Sequence, residues 1–157
     1  LHRSGDPAWP IPAPVVTGGD GAATFRGLAS GGYEVEVSGE GVFPLRAPLG
    51  LKVGENIRAD LTIRRRGNLE ILARGADGSP RAGVTLGVTD VVTGIDARAW
   101  VSAGLVGASD ASLRTDDSGR LTLTGLPEGT FRVAAGGAQA LASVPPGGAG
   151  SATIEIE

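Results

Sequence analysis

Apolar and polar residues alternate with a period of two along much of this chain, and that pattern limits the fold more than any other feature. Tyr33 to Ser38 alternates strictly, and so does Ile57 to Arg64. Shorter runs repeat it at Val84 to Leu86, Arg120 to Thr124, Phe131 to Val133 and Ile154 to Glu157. Successive side chains of a strand point to opposite faces, so each run buries one face and wets the other, as in antiparallel sheets. Turn clusters divide the runs at Gly18–Gly21, Asp77–Pro80, Asp116–Gly119 and Pro145–Gly148. Many short strands between frequent turns predict a sandwich or a barrel. No helix is predicted. The best candidate, Ile95 to Val106, is interrupted by glycine and lacks caps.

Composition removes most chemistries. The chain has no Cys, which excludes disulfides, thiolate metal sites and cysteine nucleophiles. Its one His, His2, cannot build a multi-histidine metal site or a Ser-His pair within the body of the fold. A net charge of −3 with interspersed signs argues against a nucleic-acid partner. No apolar run approaches the roughly 18 residues of a membrane span. The 27 Gly and 10 Pro make about a quarter of the 157 residues, but the 41% hydrophobic content still allows a core. The sequence holds no Met and opens at Leu1, which reads as a processed product or a part of something longer.

Shifted by 98 positions, two stretches align without a gap. Thr17, Gly21, Phe25, Gly27, Leu28, Gly31, Tyr33 and Val35 fall on Thr115, Gly119, Leu123, Gly125, Leu126, Gly129, Phe131 and Val133. Gly119 ends an Asp-rich turn where a positive φ is required. Leu121 and Leu123 are predicted to face the core, Gly125 to break the strand, and Leu126 to turn inward. Phe131, Val133 and Ala135 begin the returning strand. The alignment pairs Leu1 with Leu86, so the stretch matching Gly67 to Thr85 is missing from the first repeat. That repeat is expected to carry an unpaired edge and an uncovered core stripe.

The second repeat reads Gly78-x-Pro80-x-x-Gly83-x-x-Leu86, then Thr115-Asp116-x-x-Gly119, then Gly125-Leu126-Pro127-x-Gly129-x-Phe131-x-Val133. This set resembles the carboxypeptidase regulatory-like domain over Gly67 to Glu157. The first repeat matches less well, with Ala29 in place of the proline. The resemblance implies a transthyretin-like, seven-stranded β-sandwich, related to Cna protein B-type repeats. It implies a non-catalytic module attached to enzymes, transporters or surface proteins, and names no ligand.

Each candidate for chemistry stands beside a plainer reading. Arg64-Arg65-Arg66 could hold an anion, but three arginines make a weak footprint, and a solvated joint between repeats is favoured. Asp116-Asp117-Ser118-Gly119 offers hard oxygen ligands, but it lacks Ca²⁺-loop spacing and reads better as an Asx turn. Glu34 and Glu36 share one face of a strand and read as a solubilising surface. The only Lys, Lys52, excludes an isopeptide cross-link from the second repeat. Trp9 and Trp100 lie in equivalent connections and are the candidate contacts for a sugar or a partner, against a plainer role in closing the ends of the sandwiches. Leu1, Val15 and Val16 mark the candidate assembly edge.

The sequence thus predicts an all-β chain of two tandem antiparallel, Ig-like or transthyretin-like β-sandwiches. Residues 1–65 form an incomplete repeat lacking its N-terminal strands, and residues 66–157 a complete one. The expected function is a non-catalytic structural or spacer module of a secreted bacterial surface protein, extending to a fibre subunit completed by strand donation. The alternative is a carbohydrate- or protein-binding accessory module of a larger extracellular enzyme or transporter. No catalytic, metal or cofactor residue is assigned. The expected partners are proteins (a second copy of the chain or domains of its parent) or carbohydrate, with no nucleic acid and no membrane insertion. The expected location is extracellular, cell-surface or periplasmic.

Overall fold

The computed structural model describes residues 2–3 and 13–157, and within these the chain is all-β. It separates into two compact units. The first contains residues 1–38 and 44–63, and the second contains Gly39–Phe43 together with Arg64–Glu157.

Unit 1 carries one antiparallel sheet. β1 (His2–Arg3), β2 (Gly31–Val37) and β3 (Leu45–Leu51) lie in that order. Tyr33 opposes Leu49 and Val35 opposes Ala47. Tyr33 is buried, and its hydroxyl donates to the Ala29 carbonyl at 2.6 Å. Arg46 reaches Glu34 at 3.8 Å and Glu36 at 3.4 Å across the exposed face, an ion-pair set worth little in water. The alternating run Ile57 to Arg64, expected as a strand, forms none. Alternation gives a strand its two faces but not its ladder, and backbone bonds need a neighbour.

Unit 2 is a sandwich. One sheet runs β10 (Ala149–Ile156), β4 (Arg66–Gly75), β7 (Arg120–Pro127), β6 (Gly107–Ala108); the other runs β5 (Gly87–Asp90), β8 (Gly129–Ala135), β9 (Ala138–Val144). Leu69, Ile71 and Ala73 of β4, Leu121 and Leu123 of β7, and Ile154 of β10 form one wall of the core. Val88, Phe131, Val133, Ala142 and Val144 form the other. Each large side chain buried here contributes about 1.5–3 kcal/mol of transfer free energy, the main force holding the sheets together. β7 passes Gly125 rather than ending there. Gly67 opposes Leu126 while Asn68 opposes Thr124, so Gly125 is a bulged residue with φ +76°.

Two features depart from the expected all-antiparallel, helix-free sandwich. β10 pairs with β4 in parallel, from Ala149 opposite Asn68 to Ile156 opposite Gly75. A one-and-a-half-turn helix, α1 (Ala97–Ser102), follows β5. The Asp96 carboxylate supplies the cap that the sequence reading missed, accepting from Arg98 N at 2.8 Å.

The three turn glycines of the shifted alignment share conformations. Gly21, Gly27 and Gly31 have φ of 74°, 70° and 150°, against 74°, 76° and 142° at Gly119, Gly125 and Gly129.

Candidate functional site

The densest polar structure in unit 2 lies where the chain enters β4. Two stretches meet there, Gly39–Phe43 and Arg64–Gly67. Phe43 N donates to Arg64 O at 2.9 Å, and Arg66 N to Gly41 O at 2.8 Å. Glu128 N donates to Arg65 O at 2.7 Å, and Gly147 N to Arg66 O at 2.9 Å.

Side chains reinforce this knot. Arg66 donates through Nε to Val42 O and through Nη1 to Leu105 O, both at 3.1 Å. Its guanidinium carbon sits 5.9 Å from the centre of the Phe43 ring, within cation–π range. Phe43 meets Trp100 edge-on at 5.2 Å, and Trp100 meets Phe131 edge-on at 6.4 Å. Arg64 donates through Nε to Glu128 O at 2.7 Å and through Nη1 to the Asp90 carboxylate.

Asp90 is wholly buried at the end of β5. Its other oxygen accepts from Val92 N at 2.8 Å and Thr93 N at 3.3 Å, closing the turn after the strand. Burial pushes the carboxyl pKa up, but the Arg64 bond and the two backbone donors outweigh it and hold the group below its ordinary value. The arginine run is therefore not the solvated joint expected of it. Arg64 and Arg66 turn inward, and only Arg65 is exposed. A charge run in sequence cannot reveal a partner 26 residues away.

The residues singled out by sequence have different surroundings. Trp100 is 8% exposed and belongs to the core. Trp9 and Leu1 lie outside the described residues. Val15 and Val16 lie outside any strand and are 43% and 91% exposed. Asp116 closes its turn by accepting from Ser118 N at 2.9 Å, Ser118 Oγ at 2.7 Å and Arg120 N at 2.9 Å. Those bonds, the Ser118 hydroxyl first, hold its carboxyl below the ordinary range. Buried Thr115 ties two loops together, donating to Arg81 O at 2.7 Å and accepting from Val84 N at 3.0 Å.

Among the described residues, no group of three His, Cys, Asp or Glu converges on a point that could hold a metal ion. No helix among them is long and apolar enough to cross a membrane. A cavity of about 400 Å³ lies between the β8–β9 turn (Ala135–Ala138) and the end of β10 (Glu155–Glu157). It offers backbone groups and two carboxylates, with no nucleophile or base set among them.

Comparison with known proteins is sparse. No family model matches the chain, and no curated protein matches it. Among solved structures it is similar to a chain described as the structure of the streptococcal ancillary pilin, at 14% identity and a TM-score of 0.38. The match covers 82% of this chain and 46% of that one, so this chain spans less than half the length of the pilin. At this level the likeness carries no argument about function.

Proposed function

We propose that this chain is a non-catalytic structural module that carries tension between the parts of a longer extracellular or surface-exposed assembly. The observation that supports this reading is the parallel pairing of β4 with β10. The first strand of unit 2's sandwich, β4, starts at Arg66, and its last, β10, ends at Ile156. Because the first and last strands run the same way, those two points lie at opposite ends of one ladder. At about 3.3 Å per residue they are roughly 30 Å apart. A pull between them loads the whole ladder in shear. Antiparallel pairing would put both points at one end and let the bonds open one at a time. The arginine knot lies directly upstream of β4, so load arriving along the chain meets fixed backbone first.

The resemblance of Gly78 to Val133 to carboxypeptidase regulatory-like modules remains a proposal of family, and the extracellular location rests on it. The rival sugar-binding reading has no supporting contact at Trp100, whose ring is used in packing.

Single-molecule pulling tests the proposal. Since the chain has no Cys, Arg65→Cys with Glu157→Cys gives two handles that shear β4 against β10. Arg65→Cys with Pro146→Cys places both handles at the shared starting end of the two strands and unzips them. At one loading rate, the first pair is expected to unfold unit 2 at clearly higher force. Equal forces would sink the proposal.

A further inference from the structure

Four strands stand at the edges of the two sheets of unit 2, β10 and β6 in one and β5 and β9 in the other. Three of them are guarded. β6 has two residues, too few to template another strand. β5 has four, and Thr89 is bridged on its outer side to Asp96 of the chain that leads into α1. β10 carries exposed Glu155 near its end. β9 has no such device. It runs Ala138-Gln139-Ala140-Leu141-Ala142-Ser143-Val144, without a charge, a proline or a bulge. Leu141, at its centre, is 70% exposed. Native sheets blunt long edges with charge, proline, bulges or shortness, because an open row of N–H and C=O groups pairs readily with another extended chain.

The ladder shows which backbone groups are open. The two-residue turn Gly136-Gly137 has positive φ at both positions, 54° and 101°, so Ala135 and Ala138 close it as a hydrogen-bonded pair. Alternation from that pair turns the N–H and C=O groups of Ala140 and Ala142 toward β8, and those of Gln139 and Leu141 away from it. β10 meets this edge at its far end, where Gly150 lies against the Ser143 carbonyl with no room for a Cβ. Toward the turn the two strands are separated by the cavity of about 400 Å³ between Ala135–Ala138 and Glu155–Glu157. The open stretch is Ala138–Ala142.

We infer that Ala138–Ala142 pairs with the same stretch of a second copy of the chain, antiparallel and about a two-fold axis at Ala140. The stretch is its own complement. Inversion about Ala140 sets Ala138 opposite Ala142 of the second copy, and Gln139 opposite Leu141. Gln139 and Leu141 are the residues whose backbone groups point outward, so each such pair exchanges both of its bonds. On the exposed face each Leu141 covers the aliphatic stem of the facing Gln139. The two leucines are diagonal neighbours, roughly 7–8 Å apart and within reach of each other. No like charges meet. Arg132, opposite Leu141 on β8, is kept from its own copy by two intervening strands. An edge without charge gives a foreign strand no charge to match, whereas a two-fold axis needs only that the strand fit itself. Such an isologous contact uses the same surface on both sides and closes at two copies. The contact is small, so the association is weak.

Sedimentation equilibrium of the full chain, carried up to about 1 mM, is expected to show reversible monomer and dimer. Over the same concentrations the amides of Gln139 and Leu141 should gain protection from hydrogen exchange. Leu141→Lys installs the charge that guards other edges, and should weaken the dimer at least about ten-fold. Gln139→Lys, on the same open stretch, should act alike. Both positions are exposed, so Trp100 emission, read in a Trp9→Phe background, should stay unchanged in either variant. A chain that stays monomeric throughout would overturn the inference. A dimer that neither lysine weakens would also overturn it, because another surface then holds the copies together. Assembly that continues past two copies would do the same, since a two-fold contact at one edge closes.

Discussion

Replacing Arg64 with Met tests the physics of the knot above β4. The substitution keeps most of the side-chain volume and removes the cation from a fully buried carboxylate. Breaking a buried pair by removing one partner costs about 3–5 kcal/mol, because the other charge is left unpaired. Two facts place this case at the low end. Asp90 keeps its bonds from Val92 N and Thr93 N, and the Arg64 side chain is 23% exposed, so water can enter the gap. The expected loss is about 3 kcal/mol at neutral pH.

The pH dependence makes the test sharper. In the native chain the Asp90 pKa is lowered, so its contribution is present above the unfolded carboxylate pKa. It is lost as pH falls through the folded value, which lies below about 4. Without the arginine, burial acts against two backbone bonds alone, and the folded pKa is expected to rise above the unfolded one. Stability of the variant then increases as pH falls from neutral toward about 4. The gap between the two proteins should therefore shrink as pH falls from neutral, towards about 1 kcal/mol once Asp90 is protonated in both, the part due to the lost Glu128 hydrogen bond. Urea titrations in a Trp9→Phe background, with buried Trp100 as the reporter of unit 2, measure this directly. A gap below about 1 kcal/mol at neutral pH, or one that stays constant with pH, would refute the reasoning.

Three further outcomes are expected. Phe131→Ala removes a fully buried ring and its edge contact with Trp100, and should cost about 3–5 kcal/mol by the same titration. Gly119→Ala forces a side chain onto φ +74° with its Cβ 2.6 Å from Ala73 O. It should lower the unit 2 midpoint by the equivalent of about 1–3 kcal/mol, whereas Gly136→Ala, with open space around it, should cost less. In the Trp9→Phe chain, Trp100 emission should resist acrylamide quenching and stay unchanged on titration with oligosaccharides. A saturable change would reinstate the sugar-binding reading.

What the sequence disclosed follows from the range of the forces involved. The alternation of Arg120 to Thr124, Phe131 to Val133 and Ile154 to Glu157 marks β7, β8 and β10 because in-and-out orientation is a local property of extended backbone. The same alternation misleads at Ile57 to Arg64, where the missing element is a neighbour. Parallel pairing of β4 with β10 was illegible for a related reason, since a period of two carries no direction. The Asx turn at Asp116 was legible because donor and acceptor lie within four residues. The Arg64–Asp90 pair was not, and the candidate site therefore read as a solvated charge run. Trp100 was visible as a choice between packing and contact, and Phe43 and Phe131 decide for packing.

The pairing of first strand with last also governs how unit 2 is made. β4 lies between β7 and β10, and one of its two ladders cannot close until Ala149 to Ile156 have been synthesised. During translation the apolar face of Leu69, Ile71 and Ala73 waits through some eighty residues of chain for its final neighbour. Contacts of such long sequence separation close slowly, and exposed strand edges associate meanwhile. Truncation within β10 should accordingly leave a nascent chain that binds chaperones or aggregates.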